Sequence, residues 1–380
     1  MSLSTNADLR ALATSGIRRF SALANEVPGC VKLTLGEPEF DTPEPIREAV
    51  TDSLAHGLTH YPPNNGRPEL LRSLSAYMAS TGLAYASDEL IVTVGATEAL
   101  AATFLALLYP GDEVIVPVPA FGLYESLVRM AHGRVVPLDT TRTGFQIEAD
   151  ALEALVCDRT KAIVITSPNN PTGCVYDTGA LDAVARVAQQ RGIFVVCDDV
   201  YNRLCYEGGY ERFAVRHPEL RDRTVVVDSF SKPWAMTGWR LGWLAAASSL
   251  MAEIQKAHQY LVSSVPAFLQ DAAVVALGCD ITAMRETYLR RRDLVCERIE
   301  AMGPPLVRPA GAFYAFPSIE GLGLGSEEFC ERAIREAGVA LVPGTCFGAE
   351  GFVRLSYCVS DEQLVLGLHR LAGFVERLRG

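Results

Sequence analysis

Short apolar runs rich in β-branched residues alternate along most of this chain with longer segments of helical periodicity. The predicted strands are residues 90–94, 113–118, 161–166, 193–198, 224–228 and 241–245. Helical patterns between them include residues 98–108, 123–131, 178–191 and 249–261. Strands that alternate with helices and are apolar on both faces are typical of a mainly parallel sheet covered by helices. The alternation therefore predicts an α/β fold.

The pattern changes near residue 280. A long charged helical segment at 283–302 precedes short predicted strands at 312–316 and 352–356, and helical segments at 327–337 and 362–378 flank them. With 380 residues, the chain is too long for one core of usual size. We therefore expect a large domain over residues 45–279 and a smaller α+β domain over 280–380. The N-terminal segment 1–44 is expected to join the smaller domain through a strand at 31–35.

Charge and cysteine usage argue against several classes of function. The net charge is −11 and there is no basic run, so we do not expect nucleic acid as a partner. No apolar stretch approaches the roughly 18 residues of a membrane span, and the first ten residues lack a secretory-signal pattern. Ten scattered cysteines without a CxxC pair indicate reduced thiols in a cytoplasmic protein. His56 and His60 are four residues apart, but Gly57 favours a turn there, and we expect no metal site.

The run SFSKPWAMTGWR, residues 229–240, carries the strongest local signal. It begins where the predicted strand 224–228 ends, at the edge where open parallel sheets bind ligands. Partial desolvation there lowers the pKa of a lysine amine, which makes Lys232 a candidate nucleophile for an aldehyde. Ser229, Ser231 and Arg240 supply donors suited to a phosphate. Taken alone, the run is also compatible with an exposed lysine at a strand end and a surface ion pair of Arg240.

Two further segments place polar side chains after predicted strands. VCDDVY, residues 196–201, puts Asp198 at a strand end, where a carboxylate can keep a pyridine nitrogen protonated. Tyr201 and Asn170, the latter in SPNNPTG at 167–173, can both donate a hydrogen bond to a phenolate oxygen. Considered separately, Asp198 is equally suited to cap a helix and Asn170 to form a turn.

Two more segments suit an anion and a planar ring. VGATEA, residues 94–99, passes from a strand into a helix, and the small residues at Ala96 and Thr97 let backbone N–H groups approach an anion. Phe121 follows another predicted strand and can stack on a ring. The ordinary alternatives are a capped helix start and a core phenylalanine.

Together these motifs resemble those of the class I/II aminotransferases, which are pyridoxal-phosphate (PLP) enzymes of fold type I. The similar segments are GATEAL, PAFGLY, SPNNPTG, CDDVY, SFSKPWAMTGWRLGW, AGAFY and VRLSY, with LGEPEFDTP and YPPNNGRPELLR nearer the N-terminus. Single motifs are weak, but their joint order and spacing, from about residue 35 to the C-terminus, are specific. The resemblance implies a large domain with a mainly parallel sheet flanked by helices, plus a smaller α+β domain.

The resemblance also implies roles for the residues around the cofactor ring. Lys232 is similar to the lysine that holds PLP as a Schiff base and moves the substrate's α-proton. Asp198 is similar to the residue that pairs with the pyridine nitrogen. Tyr201 and Asn170 match the donors to the ring hydroxyl, and Phe121 matches the aromatic residue that stacks on the ring.

Other positions match the family's substrate- and phosphate-binding residues. Arg354 is similar to the arginine that clamps the substrate α-carboxylate, with Gly36 and Asn170 beside it. Tyr61 is similar to the tyrosine that reaches the phosphate in the neighbouring subunit, which implies a symmetric homodimer with shared active sites. The remaining matches to the phosphate-binding residues are Ala96, Thr97, Ser229, Ser231 and Arg240.

The implied reaction is amino-group transfer between an L-amino acid and a 2-oxo acid, by a ping-pong mechanism through Lys232. The fold does not determine the reaction, because the same scaffold hosts other PLP chemistry, such as C–S β-lyases, cyclases and synthases. A PLP-sensing transcription regulator would need a basic DNA-binding domain. Only a short segment precedes LGEPEF here, so we do not expect one.

The sequence leaves the choice of substrate open. Some dicarboxylate-specific relatives carry a lysine at the position of Thr97, and this chain lacks that cation. Arg18 in the N-terminal segment can supply a charge instead. Ile17, Phe20 and Phe121 suit an apolar or aromatic substrate side chain, but they are equally suited to packing.

Overall fold

The computed structural model describes residues 5–12 and 15–379. Its helices are α1 Ala7–Ala11, α2 Gly16–Asn25, α3 Glu44–Ala55, α4 Pro68–Ser80, α5 Gly95–Leu107, α6 Leu123–Met130, α7 Ala149–Leu155, α8 Thr178–Arg191, α9 Phe213–Arg216, α10 Ser248–Leu261, α11 Ala267–Gly278, α12 Thr282–Met302, α13 Ser326–Arg332 and α14 Asp361–Arg379. Its strands are β1 Val31–Lys32, β2 Leu90–Thr93, β3 Glu113–Val118, β4 Arg134–Asp139, β5 Thr160–Thr166, β6 Phe194–Asp198, β7 Thr224–Ser229, β8 Gly242–Ala245, β9 Tyr314–Ala315, β10 Val339–Ala340, β11 Val342–Pro343 and β12 Val353–Ser356.

Seven strands form one sheet in the order β2-β8-β7-β6-β5-β3-β4. Neighbouring strands are parallel except for β8, which runs antiparallel to both β2 and β7. The register pairs Thr166 with Asp198 and Asp198 with Val227, so β5, β6 and β7 end at the same edge of the sheet. The predicted α/β fold is confirmed, and each of the six predicted strands is present to within one residue at either end.

Helices cover both faces of this sheet because its central strands are apolar on both sides. Val195 and Cys197 of β6 pack into a core with helices α3, α4, α8 and α11. The residue between them, Val196, packs into a second core with α5, α6 and α10. Successive strand residues point to opposite faces, which accounts for this division. The two cores hold the carboxyl ends of the strands in place.

The C-terminal part contains a smaller antiparallel sheet in the order β11-β12-β9, packed with helices α12 to α14. Strand β1 pairs in parallel with β10, and Phe20 and Val31 share the core of this region. The predicted strand at 31–35 is shorter than expected. The predicted helix at 327–337 is α13 followed by a π-helical turn at Ala333–Ala337.

Several elements were absent from the sequence prediction. Strand β4 lies at the sheet edge and is largely exposed, so its apolar pattern is weak. Helices α3, α4 and α11 were not predicted either. Within the described residues, no single helix is long and apolar enough to cross a membrane. Only α11 and α12 taken together, bent by 72°, meet the criteria of length and composition.

Candidate active site

The carboxyl ends of β5, β6 and β7 border a cavity of about 320 Å³. Every residue that the sequence analysis assigned to the site lines this cavity, except Tyr61. These residues are Gly36, Ala96, Thr97, Phe121, Asn170, Asp198, Tyr201, Ser229, Ser231, Lys232, Arg240 and Arg354. Because parallel strands end at one edge of a sheet, residues far apart in sequence meet there. The cavity is therefore the candidate active site.

Asp198 is a buried carboxylate at the end of β6. Burial raises its pKa to about 6, while the Tyr124 hydroxyl opposes the shift by donating a hydrogen bond to Oδ2 at 2.7 Å. Tyr124 also shares a hydrogen bond of 2.6 Å with the hydroxyl of Thr166 on β5. A carboxylate held in a buried position favours a cationic partner, because pairing offsets the cost of desolvation.

Lys232 lies in the turn after β7 and faces the same cavity. Desolvation by the surrounding protein lowers the pKa of its amine to about 8. Nζ donates a hydrogen bond to the carbonyl oxygen of Gly36 at 2.7 Å. A substantial neutral fraction is thus present near physiological pH, and the neutral amine is the form that attacks a carbonyl or accepts a proton.

The N-terminus of α5 forms an anion-binding cradle in the cavity wall. Gly95 has a φ of 69°, and a Cβ atom at this position would lie 2.7 Å from Nη2 of Arg240. The guanidinium thus packs directly against the helix N-terminus, where free N–H groups favour negative charge. The hydroxyls of Ser229 and Ser231 lie 2.7 Å apart at the same cavity. This combination of donors suits a phosphate group.

Arg354 of β12 is a buried cation without a carboxylate partner among the described residues. It is 1% exposed, and burial lowers the pKa of its guanidinium. Nη1 donates to Oδ1 of Asn170 at 2.8 Å, and Nη2 donates to the carbonyl oxygen of Thr34. Its Nε atom is buried and has no hydrogen-bond partner. Because a buried cation without a counter-ion is costly, the arrangement points to an anionic group that binds there.

Tyr201 and Tyr314 form the part of the cavity wall between Arg354 and the end of β6, which carries Asp198. The hydroxyls of Tyr201 and Tyr314 are 2.8 Å apart, and the Arg354 guanidinium lies 4.5 Å from the centroid of the Tyr314 ring. A Cβ atom at Gly36 would lie only 1.7 Å from the Tyr314 hydroxyl, so only glycine fits there. Burial raises the pKa of Tyr201, and raises that of Tyr314 to about 12, so both phenols keep their protons and remain donors.

For Ile17, Phe20 and Phe121, the sequence left open whether the side chain faces a substrate or packs in the protein interior. The structure distinguishes the residues that line the cavity from those that do not. Phe20 is 1% exposed and packs in the C-terminal core, so it does not contact a substrate in the cavity. Ile17, Arg18 and Phe121 do line the cavity. Tyr61 is 88% exposed and lies outside it. Its contact with a neighbouring subunit stays a prediction.

Comparison with known proteins identifies the family. The model of the class I and II aminotransferases matches residues 28–371. The chain belongs to this family. Among its relatives, the putative aminotransferase YugH of Bacillus subtilis is 43% identical over 96% of both chains. The aspartate aminotransferase of Pyrococcus abyssi is 38% identical over 98% of this aminotransferase and 97% of its own chain.

Solved structures agree with this assignment. The aspartate aminotransferase from Thermus thermophilus with maleate superposes with a TM-score of 0.93 and is 37% identical, covering 98% of this chain and 100% of that one. The predicted PLP fold type I is therefore confirmed. The protein is a PLP-dependent aminotransferase that acts on amino acids and oxo acids. These relatives do not support the alternative of a β-lyase, cyclase or synthase.

The cavity of this aminotransferase fits PLP. The cradle at α5 matches a phosphate, and the desolvated Lys232 matches an aldehyde carbon. Asp198 is a buried carboxylate suited to a protonated ring nitrogen, and Tyr201 is a protonated donor suited to the ring oxygen. A bound cofactor would thus pair a protonated ring nitrogen with Asp198 and a phosphate with the cradle at α5.

The sequence analysis assigned no role to two tyrosines of the cavity that bond to predicted site residues. Tyr124 bonds Asp198, and Tyr314 bonds Tyr201. Both stand inside motifs that carried the resemblance, PAFGLY and AGAFY, but only Phe121 of these motifs was assigned a role. The available signal was the position of each tyrosine inside a motif that carried the resemblance.

Proposed function

We propose that Lys232 is the proton-transfer residue of this aminotransferase and that Arg354 holds the α-carboxylate of its substrates. When bound, PLP carries the amino group and withdraws the electron pair from the substrate's α-carbon. One observation carries the proposal: a lysine of lowered pKa and a buried arginine without a counter-ion face the same cavity. The reaction is a ping-pong exchange between an L-amino acid and a 2-oxo acid.

Lys232 is suited to accept the α-proton and to donate it again. Its pKa of about 8 lies near neutral pH, where one group can serve as both base and acid. Its Nζ atom reaches the carbonyl oxygen of Gly36, which lines the same cavity. Gly36 itself stands beside Tyr314 and hence beside Arg354. The proton-transfer group therefore lies close to the proposed carboxylate clamp.

The remaining residues orient the cofactor. Asp198 would pair with the ring nitrogen, and its ionised form is favoured once that nitrogen is protonated. Tyr201 and Asn170 would donate to the ring oxygen, and Phe121 would stack on the ring. The phosphate would be held by backbone N–H groups and side chains of Ala96, Thr97, Ser229, Ser231 and Arg240.

The surroundings of Arg354 leave it a free donor and fix the plane of its guanidinium. Its Nε is free to donate, and the aromatic rings of Tyr314 and Phe347 pack against the guanidinium. Asn170 accepts from Nη1 and so keeps the guanidinium plane fixed. A planar, oriented guanidinium binds a carboxylate through two parallel hydrogen bonds. The α-carboxylate is the group that all L-amino acids and 2-oxo acids share.

We further propose a cytoplasmic homodimer in which Tyr61 reaches the partner's phosphate. The exposed position of Tyr61, outside its own cavity, supports this arrangement. All ten cysteines are free, as is usual for a reducing compartment. The proposed division of each chain is an N-terminal segment 1–44, a large domain 45–279 and a small domain 280–380. The packing of Phe20 and Val31 in the C-terminal core supports the first boundary.

Lys232→Ala tests the proposed function. The variant should keep the fold and bind PLP through the phosphate cradle, but it should lose the half-reaction with every amino acid. Borohydride should attach PLP to wild type and leave the variant unlabelled. Lys256→Ala is the control, because Lys256 is exposed and, in the part of the chain that the structure describes, pairs with Glu253 of its own helix and lies outside the cavity. A Lys232→Ala variant that turns over at the wild-type rate would exclude the assignment.

A further inference from the structure

His258 is a buried histidine to which the proposed function gives no role. It is 0% exposed and lies on α10, which packs against α5. Nδ1 of its ring lies 2.9 Å from Oε1 of Glu98 on α5, and Nε2 lies 2.9 Å from the carbonyl oxygen of Asn64. A carboxylate oxygen and a carbonyl oxygen both accept hydrogen bonds, so each ring nitrogen must donate. A ring that donates from both nitrogens is an imidazolium cation.

The surroundings of His258 favour the same protonation state. Burial lowers the pKa of the ring, but the hydrogen bond and the charge of Glu98 raise it, and the net result is a pKa above the ordinary value of a histidine. The contact with the Asn64 carbonyl acts in the same direction. The side chain of Glu98 is only 10% exposed, so dissolved ions screen the pair little. His258 and Glu98 therefore form a buried ion pair between α10 and α5.

Glu98 lies next to the anion-binding cradle. It stands in the first turn of α5, directly after Thr97 of the proposed phosphate site. Its Oε2 atom accepts a hydrogen bond of 3.2 Å from the backbone N–H of Val94, the residue that precedes the helix. A carboxylate at this position uses part of the positive potential of the helix N-terminus. An unpaired Glu98 would also repel a phosphate bound there, because like charges at one site oppose each other.

We propose that His258 is a positioning residue that neutralises Glu98 and so allows the N-terminus of α5 to receive the phosphate of the cofactor. The inference rests on the proposed function, which places that phosphate at Ala96 and Thr97. His258 lies outside the lining of the cavity, so it acts through Glu98 and not by contact with the cofactor. The ion pair holds one carboxylate oxygen towards α10 and cancels its charge at the cradle.

Two cations divide the negative charges at the start of α5. Arg240 packs against the helix at Gly95, and its Nη1 donates to the carbonyl oxygen of Thr237 at 2.9 Å. That contact with an uncharged group leaves the charge of Arg240 available for a phosphate. His258 pairs with Glu98 from the opposite side, within the protein interior. Without the histidine, Glu98 would compete with the phosphate for the donors and the positive charge of the cradle.

His258→Gln tests the inference, with His369→Gln at an exposed position of α14 as the matched control. The full-length apoenzymes are titrated with PLP and with pyridoxal, which lacks the phosphate, and the absorbance of the ligand is followed. His258→Gln should weaken PLP binding about tenfold and pyridoxal binding less than about threefold, because the unpaired Glu98 repels only the phosphate. His369→Gln should leave both affinities unchanged. An unchanged ratio of the two affinities in His258→Gln would overturn the inference.

Removing Glu98 should have the opposite effect to removing its partner. Glu98→Gln takes away the negative charge, so it should bind PLP at least as tightly as wild type. Added to His258→Gln, it should restore the PLP affinity to within about threefold of wild type. A purely structural contact predicts instead that both single variants lose PLP and pyridoxal affinity alike. That pattern, or a double variant as weak as His258→Gln, would contradict the neutralising role.

Binding of inorganic phosphate to the apoenzyme gives a second readout that requires neither the ring nor turnover. In a calorimetric titration, His258→Gln should bind phosphate about tenfold more weakly than wild type, and the double variant should recover. An unpaired buried carboxylate is costly, so His258→Gln can fail to fold. In that case Glu98→Gln decides the question, since weaker phosphate binding in this variant than in wild type would overturn the inference.

Arg240→Gln separates failure of this inference from failure of the proposed function. It removes a cation of the cradle itself, so it should weaken PLP binding relative to pyridoxal whatever His258 does. An unchanged ratio in Arg240→Gln would show that the phosphate binds elsewhere, which contradicts the proposed site and the inference with it. A lowered ratio in Arg240→Gln together with an unchanged ratio in His258→Gln would leave the site in place and refute only the role of His258.

Discussion

Burial shifts the pKa values of neighbouring site residues in opposite directions. Desolvation disfavours the charged form of every group, so it lowers the pKa of Lys232 to about 8 and raises that of Asp198 to about 6. The lysine is thereby prepared to act as a base. The aspartate requires a nearby cation to stay fully ionised, and a protonated ring nitrogen would provide it.

Asp198→Ala should therefore cost far more activity than Tyr201→Phe. Under the proposed roles, the first would remove the counter-charge of the ring nitrogen and should lower kcat/KM on the order of 1000-fold. The second would remove one of two proposed hydrogen bonds to the ring oxygen and should lower kcat/KM about tenfold. Both are measured in the half-reaction with one amino acid. Equal losses would mean that the ring lies in another orientation.

Strands β6 and β7 are tied together next to the site by a buried ionic cluster. Nε of Arg212 pairs with Asp199 at 2.7 Å and its Nη2 lies 3.6 Å from Asp228, while Nδ2 of Asn202 donates to Asp228 at 2.7 Å. Burial raises the pKa of Asp228 to about 8 although Arg212 opposes the shift, and burial raises the pKa of Asp199 as well. Asp199 follows Asp198 and Asp228 precedes Ser229 in sequence, so the cluster connects the ends of β6 and β7 directly beside two residues that line the cavity.

Arg212→Met should lower the free energy of unfolding by about 3–5 kcal/mol, because two buried carboxylates lose their cation. Without the arginine, the folded-state pKa values of Asp199 and Asp228 rise further above the unfolded value. The variant's folded state then keeps protons that the wild-type folded state releases, so the deficit should grow as pH rises through the wild-type folded pKa values, that is, up to and beyond about 8 for Asp228. Denaturant unfolding at several pH values measures it.

Arg216→Met is the control for this prediction. Arg216 is the last residue of α9, which begins directly after Arg212, and its partly exposed side chain pairs with Asp182 and Glu211. Its removal should change stability little at any pH, because exposed ion pairs contribute little. A pH-independent deficit in Arg212→Met would indicate lost packing and not lost charge.

One face of the molecule exposes aromatic side chains that a single chain does not cover. Tyr61 is 88% exposed and Tyr260 is 87% exposed. The loop of Tyr61 is tied to the segment after Tyr260, because Nδ2 of Asn64 donates to the carbonyl oxygens of Val262 and Ser263. Exposed apolar groups of this kind are typical of a subunit interface. The arrangement supports the predicted reach of Tyr61 into a partner.

Heterodimers that combine a wild-type subunit with a Tyr61→Ala/Lys232→Ala subunit test whether Tyr61 contacts the cofactor phosphate of the partner subunit. Their one intact Lys232 would face a phosphate site that lacks the partner's tyrosine. PLP should dissociate about tenfold more readily than from heterodimers of wild type with Lys232→Ala alone, in which both tyrosines remain. Titration of PLP absorbance on the purified heterodimers measures the difference. Equal affinity would show that Tyr61 acts within its own subunit or has no role.

The sequence by itself predicted six of the seven strands of the large sheet and most of the residues that border the cavity. Apolar periodicity is a local property, so the six strands were predicted to within one residue at either end. Motif residues such as Asp198 and Lys232 stand at or just after strand ends, and parallel strands bring those ends to one edge. Their proximity therefore followed from the order of elements along the chain.

Only the tertiary structure decided which side chains meet across the site. Tyr314 and Tyr201 share a hydrogen bond although they are 113 positions apart, and no local sequence pattern predicts that they pair. Phe20 was compatible with the cavity until the packing of α2 placed it in the core and turned Arg18 to the cavity instead. The orientation of a helix about its axis depends on what it packs against, and a local sequence does not contain that information.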